Sequence, residues 1–126
     1  MERERTVGDI MTREVVVAQT EDEVANLAQT MAKARISCVV IASGRKPVGI
    51  VSERDIVRVV ADRPGMIVGM KAREMMSSPV TTLKAATTVA EAKRLMIEKH
   101  FRRFPIVNDD GHLIGLITQT DILRSK

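Results

Sequence analysis

Aromatic residues are almost absent from this chain of 126 residues, which has no tryptophan, no tyrosine and two phenylalanines, Phe101 and Phe104. Proteins that bind single-stranded nucleic acid usually stack the bases on aromatic side chains. The net charge of +4 arises from 20 basic and 16 acidic residues, and the two signs are interspersed. The composition argues against a nucleic-acid-binding protein. Nonspecific, salt-sensitive binding of nucleic acid stays open as a hypothesis, because it needs only Lys and Arg clustered on one face.

Cysteine and histidine are equally scarce, which bears on disulfides, metals and catalysis. The one cysteine, Cys38, cannot form an internal disulfide, and its setting among Val and Ile predicts a small buried side chain. His100 and His112 have no cysteine or second histidine at ligand spacing, so we predict no metal site. We find no activated nucleophile and no acid and base pair, so no catalytic residue is predicted and we do not expect an enzyme.

Long apolar segments are also missing. The run from Cys38 to Ala42 falls far short of the roughly 20 residues that cross a bilayer. The charged start, Met1 to Arg5, does not resemble a signal peptide. With 44% hydrophobic and 29% charged residues, the chain has the composition of a globular protein. We therefore expect a cytoplasmic protein without a membrane partner.

The chain repeats itself. A shift of 65 residues superimposes six residues of the first half on identical residues of the second, and a shift of 66 superimposes four more near the end of each half. A long period that occurs twice predicts a duplicated unit. We predict a first repeat at 7–61, a linker at 62–71 with Pro64, Gly65 and Gly69, and a second repeat at 72–126.

Each repeat carries the same alternation of patterns, helix-strand-helix-strand-strand-helix. The first strands are predicted at Val15–Val17 and Val80–Thr82, and hairpins follow in both repeats. The last helices are predicted to open at Ser52 and Thr118. Apolar residues at helical spacing predict the buried faces of the two long helices, which are Val24, Leu27, Ala28, Met31 and Ala32 in the first repeat and Val89, Ala92, Met96 and Ile97 in the second. Capping boxes are predicted at the starts of these helices, Thr20 with Glu23 and Thr88 with Glu91.

One motif has a direct chemical interpretation. Gly49 to Ile56 and Gly115 to Ile122 each place a hydroxyl and a carboxylate three residues apart, where a strand turns into a helix. Such a pair can simply cap the helix, which stabilises it by about 1 kcal/mol. Alternatively, the hydroxyl and the helix N-terminus accept a phosphate while the carboxylate takes two sugar hydroxyls. The duplication, with a glycine ahead of each motif, favours ligand binding.

These features together resemble a tandem pair of cystathionine-β-synthase (CBS) domains, also called a Bateman module, over about residues 7–124. The resemblance rests on the repeated element order, the strand Phe104 to Val107 followed by Asp109-Asp110-Gly111, and the two Ser/Thr-x-x-Asp motifs. It implies an α/β (α+β) fold of two units packed with pseudo-twofold symmetry around two clefts. It also implies homodimers, and AMP, ADP or ATP as ligand, with S-adenosylmethionine less favoured and no required cofactor.

The resemblance also implies a set of ligand-binding residues. By the family pattern, the aspartates hold ribose hydroxyls, the motif hydroxyls meet phosphate, and the early strands line the adenine pocket. Other polar residues near the motifs and a proline complete the set, which is Val15, Val16, Ser37, Ser52, Arg54, Asp55, Val80, Thr81, Arg102, Arg103, Pro105, Thr118, Thr120 and Asp121.

The two repeats differ at the entrance of the second strand. The first repeat has Ser37 and Cys38 where the second has Arg102 and Arg103. Arginine offers a fixed fork of donors to phosphate, although adjacent strand residues point to opposite faces, so we expect only one of the two to reach the site. Surface arginines are the alternative. We predict tighter binding in the second repeat.

The leading hypothesis is a regulatory module that binds an adenine nucleotide and passes a change of packing to an unidentified regulated protein. The alternative is a structural dimerisation module in which the clefts are vestigial and the motifs are only helix caps.

Overall fold

The protein is described by a computed structural model that covers residues 4–125. Two expectations, the charged start at Met1 to Arg3 and the end of the second repeat at Lys126, fall outside the described residues. The elements follow the predicted order, with one added 3-10 helix at Pro64–Ile67. They are α1 (Val7–Ile10), β1 (Val17–Gln19), α2 (Val24–Ala34), β2 (Cys38–Ser43), β3 (Lys46–Ser52), α3 (Glu53–Asp62), α4 (Ala72–Met75), β4 (Leu83–Lys84), α5 (Val89–Lys99), β5 (Arg103–Val107), β6 (Leu113–Thr118) and α6 (Gln119–Arg124).

The chain divides into two compact units, each with a three-stranded sheet. The continuous unit is residues 16–80, and the split unit joins residues 4–15 to residues 81–125. The sheets have the orders β1-β2-β3 and β4-β5-β6. In each sheet the first two strands are parallel and the last two antiparallel. This confirms the predicted α/β class and the tandem repeat. The two units do not coincide with the two predicted repeats. The start of the first repeat lies in the split unit, and the start of the second repeat lies in the continuous unit. The predicted repeat boundaries stay a prediction.

The core of the continuous unit lies between α2 and its sheet. Leu27 and Met31 are buried against Val39, Ile41 and Val51. The predicted apolar face of α2 is correct for Val24, Leu27 and Met31, whereas Ala28 is half-buried and Ala32 is exposed. At about 100° per residue, Ala32 is turned away from the stripe that Met31 occupies.

The core of the split unit repeats this arrangement. Val89, Ala92 and Met96 of α5 pack with Phe104, Ile106 and Ile117 of the sheet. The prediction was wrong for Ile97, whose side chain is 76% exposed. Ile97 stands in the same place relative to Met96 as Ala32 does to Met31, so both helices bury a narrower stripe than their sequences predict.

The first strand of each sheet begins later than predicted. β1 starts at Val17, not Val15, and β4 starts at Leu83, so the predicted strand at Val80–Thr82 is wrong. Val40 on β2 donates its N–H to Val16 O at 3.2 Å. Its counterpart in the split unit is Pro105, which has no N–H to donate. The parallel pairing in the split unit therefore covers only Leu83 and Lys84.

The starts of the long helices follow two different designs. Thr88 caps α5, since its side chain accepts the N–H of Glu91 at 3.1 Å, but the predicted box is incomplete, because the Glu91 carboxylate bonds Arg94 instead of the Thr88 N–H. The predicted box at Thr20 is wrong, because the N-cap of α2 is Glu23 and no side chain caps it. Met70 O accepts the N–H of Val24 at 2.8 Å instead. The segment predicted as a linker thus supplies backbone contacts to the continuous unit.

Gly49 and Gly115 lie in β3 and β6 beneath methionine side chains. A Cβ atom at Gly49 would come within 2.4 Å of the sulfur of Met76, and one at Gly115 within 2.4 Å of the sulfur of Met11. These contacts give the motif glycines a packing role. The glycine ahead of each motif is therefore no argument for a ligand.

The methionine contact predicts a cost for the smallest side chain at position 49. Gly49→Ala should lower the free energy of unfolding by about 1–3 kcal/mol, because Met76 must move from a packed site. Gly65→Ala is the matched control, since a Cβ there would meet nothing within 4 Å. Urea unfolding of both variants measures the difference. Equal stabilities would show that Met76 adapts without cost.

Candidate functional site

The hydroxyl and carboxylate of the first motif lie where β3 ends and α3 begins. The Asp55 N–H donates to Ser52 Oγ at 3.2 Å, and the Ser52 N–H donates to Asp55 Oδ2 at 2.8 Å. The Glu53 N–H donates to Ser37 O at 2.9 Å, which ties the helix start to the residue before β2. We call Ser52 with Asp55 the Asp55 site.

The second motif repeats this geometry at the start of α6. The Asp121 N–H donates to Thr118 Oγ1 at 3.0 Å, and the Thr118 N–H donates to Asp121 Oδ2 at 3.0 Å. The Gln119 N–H donates to Arg102 O at 2.8 Å. We call Thr118 with Asp121 the Asp121 site. Both predicted helix starts, Ser52 and Thr118, are confirmed as N-caps.

The reciprocal caps leave part of each carboxylate available. A carboxylate has about four acceptor positions, and the cap uses one of them, on Oδ2. Within residues 4–125, Asp55 Oδ1 accepts no hydrogen bond. Both aspartates are half-buried. The Ser52 and Thr118 oxygens accept the aspartate N–H in the cap, so each hydroxyl proton remains for an outside acceptor. The arrangement offers an anionic acceptor and a hydroxyl donor side by side.

Thr12 also reaches the Asp121 site, although it was not among the predicted residues. Its Oγ1 lies 3.2 Å from Asp121 Oδ1 and 3.4 Å from Oδ2. Thr12 and Leu116 exchange two backbone hydrogen bonds of 2.9 Å, which place Thr12 beside β6. The repeat alignment pairs Thr12 with Ser77, another hydroxyl residue, and this shared residue type was the available signal.

The two arginines at the entrance of β5 differ in exposure. Arg103 is half-buried and is paired with Thr118 across the sheet, whereas Arg102 is exposed. The Nε of Arg103 is buried and has no hydrogen-bond partner within residues 4–125. In the continuous unit the residue paired with Ser52 is Cys38, which is buried as predicted. An arginine thus stands beside the Asp121 site and a thiol beside the Asp55 site.

The remaining predicted site residues are spread around these two pairs. Ser37, Arg54 and Thr120 are exposed, and Pro105 is buried in β5. Val15, Val16, Val80 and Thr81 are half-buried, and they lie where the chain passes from one unit to the other. Val16 lines a cavity of about 260 Å³ between β1 and α2. None of Ser52, Arg54 and Asp55 lines that cavity.

Other charged groups lie away from the two pairs. On α5, Arg94 bonds Glu91 and Glu98, and the hydrogen bond from Arg94 lowers the pKa of the exposed Glu91 carboxyl. Over the described residues, no three His, Cys, Asp or Glu side chains gather as metal ligands would. Between residues 4 and 125, no helix has both the length and the apolarity to cross a membrane.

A comparison with known protein families matches the sequence of both repeats. The sequence model of the CBS domain matches residues 7–62 and 72–126. The chain belongs to the CBS domain family. An uncharacterised protein of Methanopyrus kandleri is 37% identical over 123 residues, and the chain spans 63% of that protein's length. An inosine-5′-monophosphate dehydrogenase of Korarchaeum cryptofilum is 31% identical over 110 residues, and there the chain spans 22%.

Solved CBS pairs have the same fold. The structure of CBSX2 in complex with AMP is 26% identical with a TM-score of 0.84, over 96% of this chain and 95% of that one; CBSX2 comes from Arabidopsis thaliana. The CBS domain pair of protein MJ0100, solved with 5′-methylthioadenosine and S-adenosyl-L-methionine, is 23% identical with a TM-score of 0.86. That likeness covers 98% of this chain and 96% of the other. The resemblance read from the sequence is confirmed.

Proposed function

We propose that this chain is a regulatory module that binds an adenine nucleotide and performs no catalysis. The observation that carries the proposal is the duplicated pair of hydroxyl and carboxylate, in which the helix cap leaves acceptor capacity on Asp55 and Asp121. Two ribose hydroxyls are donors that suit a carboxylate. The AMP complex of CBSX2 supports this class of ligand.

Each predicted residue has a stated role in the proposal. Asp55 and Asp121 accept ribose hydroxyls, and Ser52 and Thr118 donate their hydroxyl protons to phosphate. Arg103 adds charge-assisted donors at the Asp121 site, and its buried Nε has no hydrogen-bond partner within residues 4–125. The half-buried residues at the unit boundaries contact adenine; these are Val15, Val16, Val80 and Thr81. The exposed polar residues lie around the phosphates; these are Ser37, Arg54, Arg102 and Thr120. Pro105 is buried and shapes β5.

AMP, ADP and ATP are the ligands we propose, and S-adenosylmethionine is the less favoured one. The phosphate count depends on how many donors surround the anion, and Arg103 favours a phosphorylated ligand over an uncharged nucleoside. Binding would shift the population of conformations that an unidentified partner in the cytoplasm recognises.

Replacing the carboxylates tests the ribose role. In ligand-stripped protein, the double variant Asp55→Asn, Asp121→Asn should bind AMP at least about ten-fold more weakly than the natural chain, because hydrogen bonds to a charged acceptor are lost. Asparagine keeps an oxygen for the cap, so thermal unfolding without ligand should change little. Calorimetric titration measures the affinity, and Asp62→Asn, at the exposed end of α3, is the control.

A second function is favoured by one observation: both motifs are complete helix caps without any ligand. In that case the chain is a structural dimerisation module. The natural protein would then bind none of AMP, ADP and ATP at millimolar concentration. The natural protein and the double variant would then be indistinguishable in the AMP titration, and this result would overturn the nucleotide proposal.

We also propose that the module forms a homodimer. Apolar residues are exposed on α3, on the 3-10 helix and just after it, namely Val57, Val60, Met66 and Val68, at 65%, 45%, 52% and 84% exposure. Exposed apolar side chains close together in sequence suit association with a second copy. The resemblance to CBS pairs, which implies homodimers, also supports a second copy of this chain as the partner.

The dimer proposal predicts the effect of a charge on this surface. Val57→Glu should convert dimer to monomer in sedimentation velocity, because a carboxylate would be buried in an apolar interface. Ala25→Glu, on the exposed side of α2, should leave the dimer intact. A natural protein that sediments as a monomer at all concentrations would contradict the proposal.

A further inference from the structure

The Thr12 hydroxyl lies between the two carboxylate oxygens of Asp121. Its distances to them, 3.2 Å and 3.4 Å, are similar, so the hydroxyl faces both. A ribose diol that binds a carboxylate through both hydroxyls uses the same two oxygens. Oδ2 already accepts the Thr118 N–H. With the cap and the Thr12 proton in place, about two of the four acceptor positions remain, so Thr12 takes one position that an approaching diol could otherwise use.

The Asp55 site has the same backbone and lacks this contact. Ser77 exchanges backbone hydrogen bonds with Ile50, at 2.9 and 3.2 Å, as Thr12 does with Leu116. Ser77 makes no side-chain hydrogen bond to Asp55 within residues 4–125. The two sites thus share the position of the neighbouring segment and differ in whether its hydroxyl covers the carboxylate.

We infer that Thr12 competes with the ribose for Asp121, so that it weakens nucleotide binding at this site and leaves the Asp55 site without a competitor. The inference rests on the proposed function. The effect of Thr12 is opposite to that of Arg103, which favours the Asp121 site. Thr12 acts on the ligand through the carboxylate, as a positioning residue.

A bound ligand can displace this hydroxyl without moving the backbone. The paired hydrogen bonds of 2.9 Å to Leu116 fix the main chain of Thr12, while its side chain is exposed. Rotation about the single χ1 bond turns the hydroxyl to water. The cost of binding is therefore the loss of the contact to the carboxylate, not the rearrangement of a strand.

Removing the hydroxyl should strengthen AMP binding at the Asp121 site. In the Asp55→Asn background, which leaves Asp121 as the one intact carboxylate, Thr12→Ala should raise the AMP affinity about five-fold, the size of one modest hydrogen bond. Thr12→Ser keeps the hydroxyl and should match Thr12. Ser77→Ala in the Asp121→Asn background is the matched control and should leave AMP affinity unchanged.

The outcomes separate the inference from the proposed function. An affinity that rises with Thr12→Ala and not with Thr12→Ser supports competition, because a loss of structural support would weaken binding. An affinity that falls or stays the same overturns the inference, provided that the natural protein binds AMP. If the natural protein gives no heat with AMP in calorimetric titration, the proposed function fails and the inference fails with it.

Discussion

The reciprocal hydrogen bonds between an N-cap hydroxyl residue and the aspartate three residues later are the constraint on which both units depend. They join the last strand of each sheet to the helix that follows, Ser52 to Asp55 in one unit and Thr118 to Asp121 in the other. The neighbouring N–H groups, on Glu53 and Gln119, bond the residue before the central strand. The hydrogen bonds at the end of each sheet therefore also set the position of the carboxylate and the hydroxyl.

This shared origin explains why one motif supports two interpretations. A cap uses one acceptor position of the carboxylate and the hydroxyl oxygen, whereas a nucleotide uses the remaining acceptor positions and the hydroxyl proton. Both demands can be met at once by an aspartate and a serine or threonine. The structural role fixes the geometry before any ligand arrives, which lowers the ordering cost of binding.

Much of the fold was predictable from local patterns, and the failures have physical causes. The hairpins, the element order and the helix starts at Ser52 and Thr118 follow from apolar periodicity and cap chemistry. At Thr82, the counterpart of Val17, the predicted strand is absent because the neighbouring Pro105 cannot donate an N–H, a nonlocal effect. Val80 and Thr81, like Val15 and Val16, lie ahead of the first strand. The box at Thr20 failed because Met70, far along the chain, satisfies the first N–H of α2.

The candidate site was likewise predictable only where its residues are close in sequence. The residues of the two motifs were found because they are neighbours in sequence, but Thr12 is 109 residues from Asp121 and only the fold brings them together. The glycines of the motifs were misinterpreted, since Met76 and Met11 explain them. The predicted order of the two sites rested on Arg102 and Arg103 alone, and Thr12 now acts against it. In our proposal the preference between the two sites therefore depends on two opposed groups, Arg103 beside the Asp121 site and Thr12 on its carboxylate.

The most direct test of the account is a crystal structure of the protein grown with AMP. We expect the ribose hydroxyls within hydrogen-bond distance of the Asp55 or Asp121 carboxylate, with the phosphate beside Ser52 or Thr118. At the Asp121 site we expect the Thr12 hydroxyl turned away from the carboxylate. AMP bound elsewhere, with both carboxylates engaged only in their helix caps, would contradict the central claim.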